Sequence, residues 1–204
     1  MESDTIDFKQ FKVLSFDCYG TLIDWEKGIV RALSPWLLKH GIRLETHNLL
    51  ELYGRFERSA ENQRPFINYR SVLHQVMRAF SEEFDIGLGD GDVDILRRSL
   101  RIWQVFPDTI KALQRLRSLY ELSIISNIDS SLFTNTAKAL QSEFTWVISA
   151  DTVRAYKPSQ KHFKKLFELS GLPLERHLHV AQSQYHDIQV ANTLGMRCVW
   201  VNRI

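Results

Sequence analysis

Lys12-Val13-Leu14-Ser15-Phe16-Asp17-Cys18-Tyr19-Gly20-Thr21-Leu22 is the stretch on which the fold turns. Residues 12–16 form a short apolar run rich in strand formers, and Gly20-Thr21 breaks it directly after the carboxylate. Asp17 is therefore expected at the C-terminal end of a strand. In open α/β sheets that edge is where ligands bind, so a carboxylate there is a candidate nucleophile able to form a covalent ester. A lone Asp at a strand end more often simply starts a turn. What raises Asp17 above that is its company: Ser126-Asn127, Lys157-Pro158 and Asp187 each follow a further strand pattern.

Strand character stops at Trp25 and helical periodicity takes over. Ile29, Leu33, Trp36 and Leu37 share one face, Leu49, Leu52, Tyr53 and Phe56 another, and Val72, Val76, Phe80, Leu96 and Leu100 continue the pattern. Phe106-Pro107-Asp108 marks the return, followed by an expected helix over 109–120 and strands over 121–125, 145–149, 177–181 and 197–201. Strands alternating with helices imply a parallel sheet. The expected architecture is α/β, a Rossmann-like parallel-sheet core formed by residues 1–24 and 105–204, with residues 25–104 inserted as a helical cap.

Composition narrows the function classes. A chain of 204 residues is long enough to bury roughly 70% of the surface its unfolded form exposes. Lys plus Arg number 26 against 24 Asp plus Glu, and a formal charge of +2 gives no reason to expect nucleic acid or a membrane surface as partner. The N-terminal MESDTIDFKQF carries acids where a signal peptide needs positive charge, and no stretch approaches 18 consecutive apolar residues, so a soluble cytoplasmic protein is expected. Cys18 and Cys198 read as small buried apolar residues rather than a disulfide or metal pair.

With D-x-Y-G-T-L at 17–22, Ser126-Asn127, Lys157-Pro158 and Asp187 in this order, the chain resembles the haloacid dehalogenase superfamily over nearly its whole length. Within it, FDCYGTL is most similar to the type II L-2-haloacid dehalogenase branch, which carries Tyr where phosphatases carry a second Asp. The resemblance implies a metal-independent hydrolase, without cofactor, acting on a small anionic organic acid. Asp17 would displace the leaving group and form an ester that water then hydrolyses. Lys157 would hold the nucleophile ionised by Coulomb attraction, and Thr21 would brace the loop. Ser126 and Asn127 would meet the substrate carboxylate or the ester oxygen. Asp187 would pair with Lys157 and help activate the water. Tyr19, Arg55, Ser183 and Tyr69 are the expected substrate-binding residues, with Arg55 meeting the carboxylate or departing halide.

At the fourth station, Gln182-Ser183-Gln184-Tyr185-His186-Asp187 stands where the branch reads S-S-N-A-W-D, so Ser183 and Asp187 match while Gln182, Gln184 and His186 depart. Gln182 also replaces the first acid of the phosphatase pattern, which disfavours a magnesium-dependent phosphatase, since Mg²⁺ wants several hard oxygen ligands. A member of the fold that binds a metabolite or protein without turnover is the other alternative. The family continues past a Val-Asn-Arg segment like 201–203 into a further stretch, and a natural short form, a shortened chain and an oligomer such as a homodimer that shields the sheet edge are all compatible with that. Asp90-Gly91-Asp92-Val93-Asp94 has the first spacings of an EF-hand loop, but Ile95 replaces its Gly and Arg101 its Glu, which leaves a solvated turn.

Overall fold

The computed structural model describes residues 6–203, so the first five residues of the acidic N-terminal segment and Ile204 lie outside the described part. Five strands make one parallel sheet: β1 (Val13–Phe16), β4 (Glu121–Ser126), β5 (Trp146–Ser149), β6 (His177–Ala181) and β7 (Arg197–Trp200), in the order β5-β4-β1-β6-β7. A second, antiparallel pair joins β2 (Ile23–Asp24) to β3 (Gln104–Val105), with Ile23 opposite Val105. The sequence patterns do not predict that pair. It ties the two ends of the helical insertion together at the rim of the sheet.

Between β2 and β3 lie α1 (Trp25–Lys39), α2 (Thr46–Glu61), α3 (Tyr69–Glu83) and the short α4 (Ile95–Ser99). The faces expected from periodicity are the buried ones: Ile29, Leu33 and Leu37 on α1, Leu49 and Tyr53 on α2, and Val72, Val76 and Phe80 on α3 are 0–1% exposed. These residues belong to one apolar cluster that continues through Phe16, Cys18 and Ile124 of the sheet region. A separate cluster, built on Val13, Ile125, Ile148 and Phe163, fills the opposite side of the sheet. The remaining helices are α5 (Thr109–Arg117), α6 (Ser130–Leu140), α7 (Ala150–Val153), α8 (Lys161–Ser170) and α9 (Gln189–Thr193).

Three expectations are corrected here. The helix expected to run to Tyr120 stops at Arg117, because Leu119 and Tyr120 both donate to Leu116 O and close a turn. Cys18 is fully buried, but Cys198 sits part-exposed on the edge strand β7 with its thiol directed at Asn192. The acids of 90–94 are not a free solvated turn: Asp92 accepts from Trp36 Nε1 at 3.0 Å, and Asp94 accepts from Arg97 and meets His74. Among the described residues no helix is long and apolar enough to cross a membrane.

One contact shapes the insertion and another fixes it over the sheet edge. Gly28 on α1 faces the Trp103 ring so closely that a Cβ there would lie 2.6 Å from it, so the glycine is what lets the indole reach inward. Asp129, in the loop after β4 and 4% exposed, accepts from Tyr69 N and Arg70 N at 2.9 Å each, satisfying two orphan donors at the start of α3. Asp129→Ala is expected to lower unfolding free energy by about 1–2 kcal/mol in urea titrations, with Asp129→Asn keeping part of that contribution.

Candidate active site

The sheet order places the ends of β5, β4, β1 and β6 side by side, and every station named from sequence lies at or beyond those ends. Asp17 follows β1, and its N–H donates to Val180 O at 3.1 Å, extending the ladder by one residue. Cys18 O then accepts from the N–H groups of Thr21, Leu22 and Ile23, which makes a tight loop. Gly20 in that loop has φ +99°, a conformation that only glycine adopts without strain. The loop returns the Thr21 hydroxyl to Asp17, donating to Oδ2 at 2.7 Å while accepting from Gln182 N at 2.9 Å.

Lys157, 3% exposed, is the centre of the cluster. Its ammonium donates to Asp17 Oδ1 at 2.8 Å, Asp187 Oδ1 at 2.7 Å and Ile125 O at 3.1 Å, so each of its three hydrogens has an acceptor. Burial alone would lower its pKa, but the two carboxylates outweigh that and raise it. Burial likewise works against ionisation of Asp187, yet Lys157 and His179 hold its carboxyl well below the usual carboxylate range. Asp187 sits in a single π-helical turn, Gln184–Ile188, a local widening of the kind common at functional sites. His179 Nε2 lies 3.0 Å from Asp187 Oδ1, and its Nδ1 lies 2.8 Å from Ser15 Oγ. With Nε2 as donor, Nδ1 accepts from Ser15, so the network assigns the tautomer. Asp187 Oδ2 is buried and has no hydrogen-bond partner, and Asp187 lines the cavity described next.

That cavity, about 250 Å³, lies between the strand ends and the helical insertion. Asp17, Lys157, Ser126, Asn127, Asp187, Tyr19, Ser183 and Tyr69 all line it. Thr21 acts from behind Asp17. Asn127 is committed elsewhere: its carbonyl accepts from Lys157 N at 2.7 Å and its amide donates to Glu61 at 3.2 Å and Lys157 O at 3.4 Å. It therefore braces the lysine loop rather than presenting a free amide. Ser183 caps the π turn by accepting from His186 N. The Tyr19 hydroxyl is bonded to Thr136 Oγ1 at 2.8 Å, so the residue presents its ring, packed edge-on against Trp103 at 5.6 Å. Burial pushes its pKa up.

Arg55 does not reach the cavity. It pairs with Glu83 at 2.8 Å on the outer side of α2. At about 100° per residue, position 55 points roughly 200° away from the inward stripe Tyr53, Glu57 and Glu61. Arg58 lines the cavity instead. The same stripe supplies groups that periodicity did not single out. Glu57 Oε1 accepts from Tyr69 at 2.6 Å and Tyr53 at 2.9 Å. Burial raises the pKa of Glu57 despite those hydroxyls, and raises that of Glu61, which Glu57 pushes up further. Polar residues at an i, i+4, i+8 spacing, where a helix should bury apolar ones, were the available signal. Trp25 and Trp103 complete the apolar wall. His186 also lines the cavity, and burial followed by the Lys157 charge lowers its pKa, so its imidazole is neutral at neutral pH.

A parallel sheet with an aspartate, a lysine and a second aspartate beyond its strand ends, facing an inserted set of helices, is the framework of the site. The chain belongs to the haloacid dehalogenase-like hydrolase family, whose sequence model matches residues 14–201. It is 24% identical over 206 residues to haloacetate dehalogenase H-2 of Moraxella sp. (strain B), covering 96% of this chain and 87% of that protein. It is 25% identical over 212 residues to an (S)-2-haloacid dehalogenase of Pseudomonas putida, covering 96% and 86% respectively. Among solved structures, the L-2-haloacid dehalogenase of Xanthobacter autotrophicus with chloropropionic acid covalently bound superposes with a TM-score of 0.79 at 17% identity. That match covers 95% of this chain and 78% of the other and shows the shared fold.

Removing Lys157 leaves two buried carboxylates facing each other, so Lys157→Met is expected to cost about 3–5 kcal/mol in urea unfolding at pH 7. Asp187 has its folded pKa lowered, so its contribution is complete above the unfolded carboxylate value of about 3.9 and is lost as pH falls through the folded pKa. Stability measured between pH 5 and 2 is expected to fall less steeply in Asp187→Asn than in the parent chain.

Proposed function

We propose that this chain is a metal-independent hydrolase that cleaves the carbon–halogen bond of a small organic acid through an ester on Asp17. The observation that carries the reading is the single buried ammonium of Lys157 holding Asp17 at the floor of a cavity of about 250 Å³ whose walls include Tyr19, Trp25 and Trp103. An Asp17 oxygen attacks the halogen-bearing carbon, and the halide leaves with the bonding electron pair. Water then adds to the carbonyl carbon of the ester, the acyl carbon–oxygen bond breaks, and a hydroxy acid departs. Asp187 helps orient that water, and the neutral imidazole of His186 accepts its proton and returns it to the departing alkoxide oxygen. Glu57 and Glu61, with raised pKa values, hold their protons over more of the pH range than exposed acids would. Arg58 joins them in allowing a substrate carboxylate into a wall that would otherwise repel it.

A magnesium-dependent phosphatase fits these residues poorly. Where such a site would place further acids this chain has Tyr19, whose hydroxyl is bonded to Thr136, and Gln182, while Asp17 and Asp187 share one ammonium. Among the described residues no cluster of three or more His, Cys, Asp and Glu side chains is arranged to hold a metal ion.

The test is multiple turnover of L-2-chloropropionate in ¹⁸O water, followed by digestion and mass analysis of the peptide containing Asp17. Heavy oxygen in Asp17 together with halide release is the expected result, with turnover unchanged by EDTA and reduced on the order of a thousandfold or more in Asp17→Asn. Full turnover by Asp17→Asn, or loss of activity with EDTA, would overturn the mechanism. In His186→Gln the second step is expected to slow by about 10²–10⁴-fold, so that the alkylated chain accumulates and is seen by intact mass.

A further inference from the structure

A second cleft, about 770 Å³, opens outward from the cavity and shares Arg58, Glu61, Lys157 and His186 with it. Its charge is one-sided. Arg58 from α2, Arg64 from the loop after α2, Arg154 from the loop after α7 and Lys161 at the start of α8 all line it. Lys157 is turned inward to its two carboxylates, and the one acid along the cleft, Glu61, is buried and bonded to Asn127. Four cations facing one acid is a strong local excess in a chain whose formal charge is only +2.

The cations are held by built features. Arg154 adopts φ 51°, ψ 49°, a left-handed conformation that disfavours any residue with a Cβ, and its guanidinium stands 5.8 Å from the Phe66 ring. Phe66 packs on Tyr156 at 5.2 Å, and the Tyr156 hydroxyl donates to Ile67 O at 2.9 Å, which makes the aromatic shelf rigid. Arg64 Nη1 donates to Gln63 O at 2.8 Å and Glu61 O at 3.5 Å, so its guanidinium is oriented while its remaining N–H groups are not spent on those carbonyls. Arg58 lies across Gly54, where a Cβ would come within 3.2 Å of its Nη1.

We propose that this cleft binds a second anionic group, carboxylate or phosphate, at the far end of the substrate, so that the chain prefers an elongated, doubly anionic acid to a two- or three-carbon one. The proposal rests on the reaction assigned above for the identity of the reacting end. The cleft's charge excess carries it for the tail. Guanidinium groups set around an opening are suited to oxyanions because their paired N–H donors match two oxygens at once.

Two measurements separate the proposal from the reaction. In the first, 2-bromopropionate is compared with 2-bromoglutarate and 2-bromoadipate. The diacids are expected to show KM values on the order of tenfold lower, and Arg154→Ala/Lys161→Ala to remove that advantage while leaving kcat/KM for 2-bromopropionate unchanged. The double variant Lys111→Ala/Arg115→Ala loses the same charge from the exposed face of α5 and is expected to leave both substrates unaffected. Equal KM values for short and long acids, or equal losses on both in Arg154→Ala/Lys161→Ala, would overturn the proposal.

The second measurement needs no turnover. Adipate and inorganic phosphate are titrated calorimetrically at 20 and 200 mM salt. Binding by the parent chain that weakens with salt, and weakens about tenfold in Arg154→Ala/Lys161→Ala, is the expected result. Preference for adipate or for phosphate identifies which tail chemistry the cleft takes. Absence of binding by the parent chain, or equal binding by the variant, overturns the subsite even if the bromoacids are hydrolysed. Tight binding with no hydrolysis of any bromoacid would sink the ester reaction and leave the subsite standing.

Discussion

One buried ammonium organises this molecule. Lys157 Nζ joins a carboxylate beyond β1, a carbonyl of β4 and a carboxylate from the turn beyond β6. A buried cation is costly to desolvate, and that cost is offset only because all three of its hydrogens find acceptors and two of those acceptors are charged. Asp17 and Asp187 in turn could not sit at 7% and 0% exposure within reach of each other without the charge between them. The second layer extends the constraint. Thr21 fixes the outer oxygen of Asp17, His179 and Ser15 fix Asp187, and Asn127 fixes the backbone of Lys157 itself. The charged groups are thus held by partners that are themselves held, the kind of positioning that the proposed displacement requires.

The last described residue participates in this arrangement. Arg203 donates from Nε and Nη2 to Thr21 O at 3.0 and 2.8 Å, stacks over Phe106 at 4.2 Å and pairs with Asp108. It links the loop after Asp17 to the segment where the chain returns from the insertion. The insertion is linked to the sheet in other ways: by the β2–β3 pair, by Asp129 at the start of α3, and by Asn127 to Glu61. Its apolar core is continuous with one side of the sheet. The cavity is therefore a gap left inside a shared packing arrangement, with its polar floor on the strand ends and a wall of aromatic and acidic groups on the helices.

That wall is where this chain gains its own character. Tyr53, Glu57 and Glu61 form a stripe on the inward side of α2, and Arg58 stands beside them at the junction with the basic outer cleft. Buried acids above a lysine already committed to two carboxylates leave little free positive charge within the inner cavity. The cationic side chains lie further out, at the opening. From solvent inward, the cleft presents arginine and lysine first, then aromatic rings, and only then Asp17.

The sequence alone was enough for everything governed by local periodicity and chain order. An apolar run broken by Gly-Thr set Asp17 at a strand end, later strand endings set Ser126, Lys157 and Asp187 in the same layer, and helical spacing identified the insertion and its buried faces. Those features depend on backbone geometry within a few residues, which composition reports directly. Tertiary structure decided which side chains meet. Arg55 and Arg58 are equally plausible on a helix of unknown rotation, and only the packing of α2 through Leu49 and Tyr53 turns Arg58 inward and leaves Arg55 to Glu83. His179 meets Asp187 at 3.0 Å because the π turn carries that carboxylate back over the end of β6. Asn127, free by its sequence position, is occupied by Lys157 and Glu61, partners 30 and 66 residues away. Contacts at such separations depend on how elements pack against one another, and no spacing within one segment encodes that.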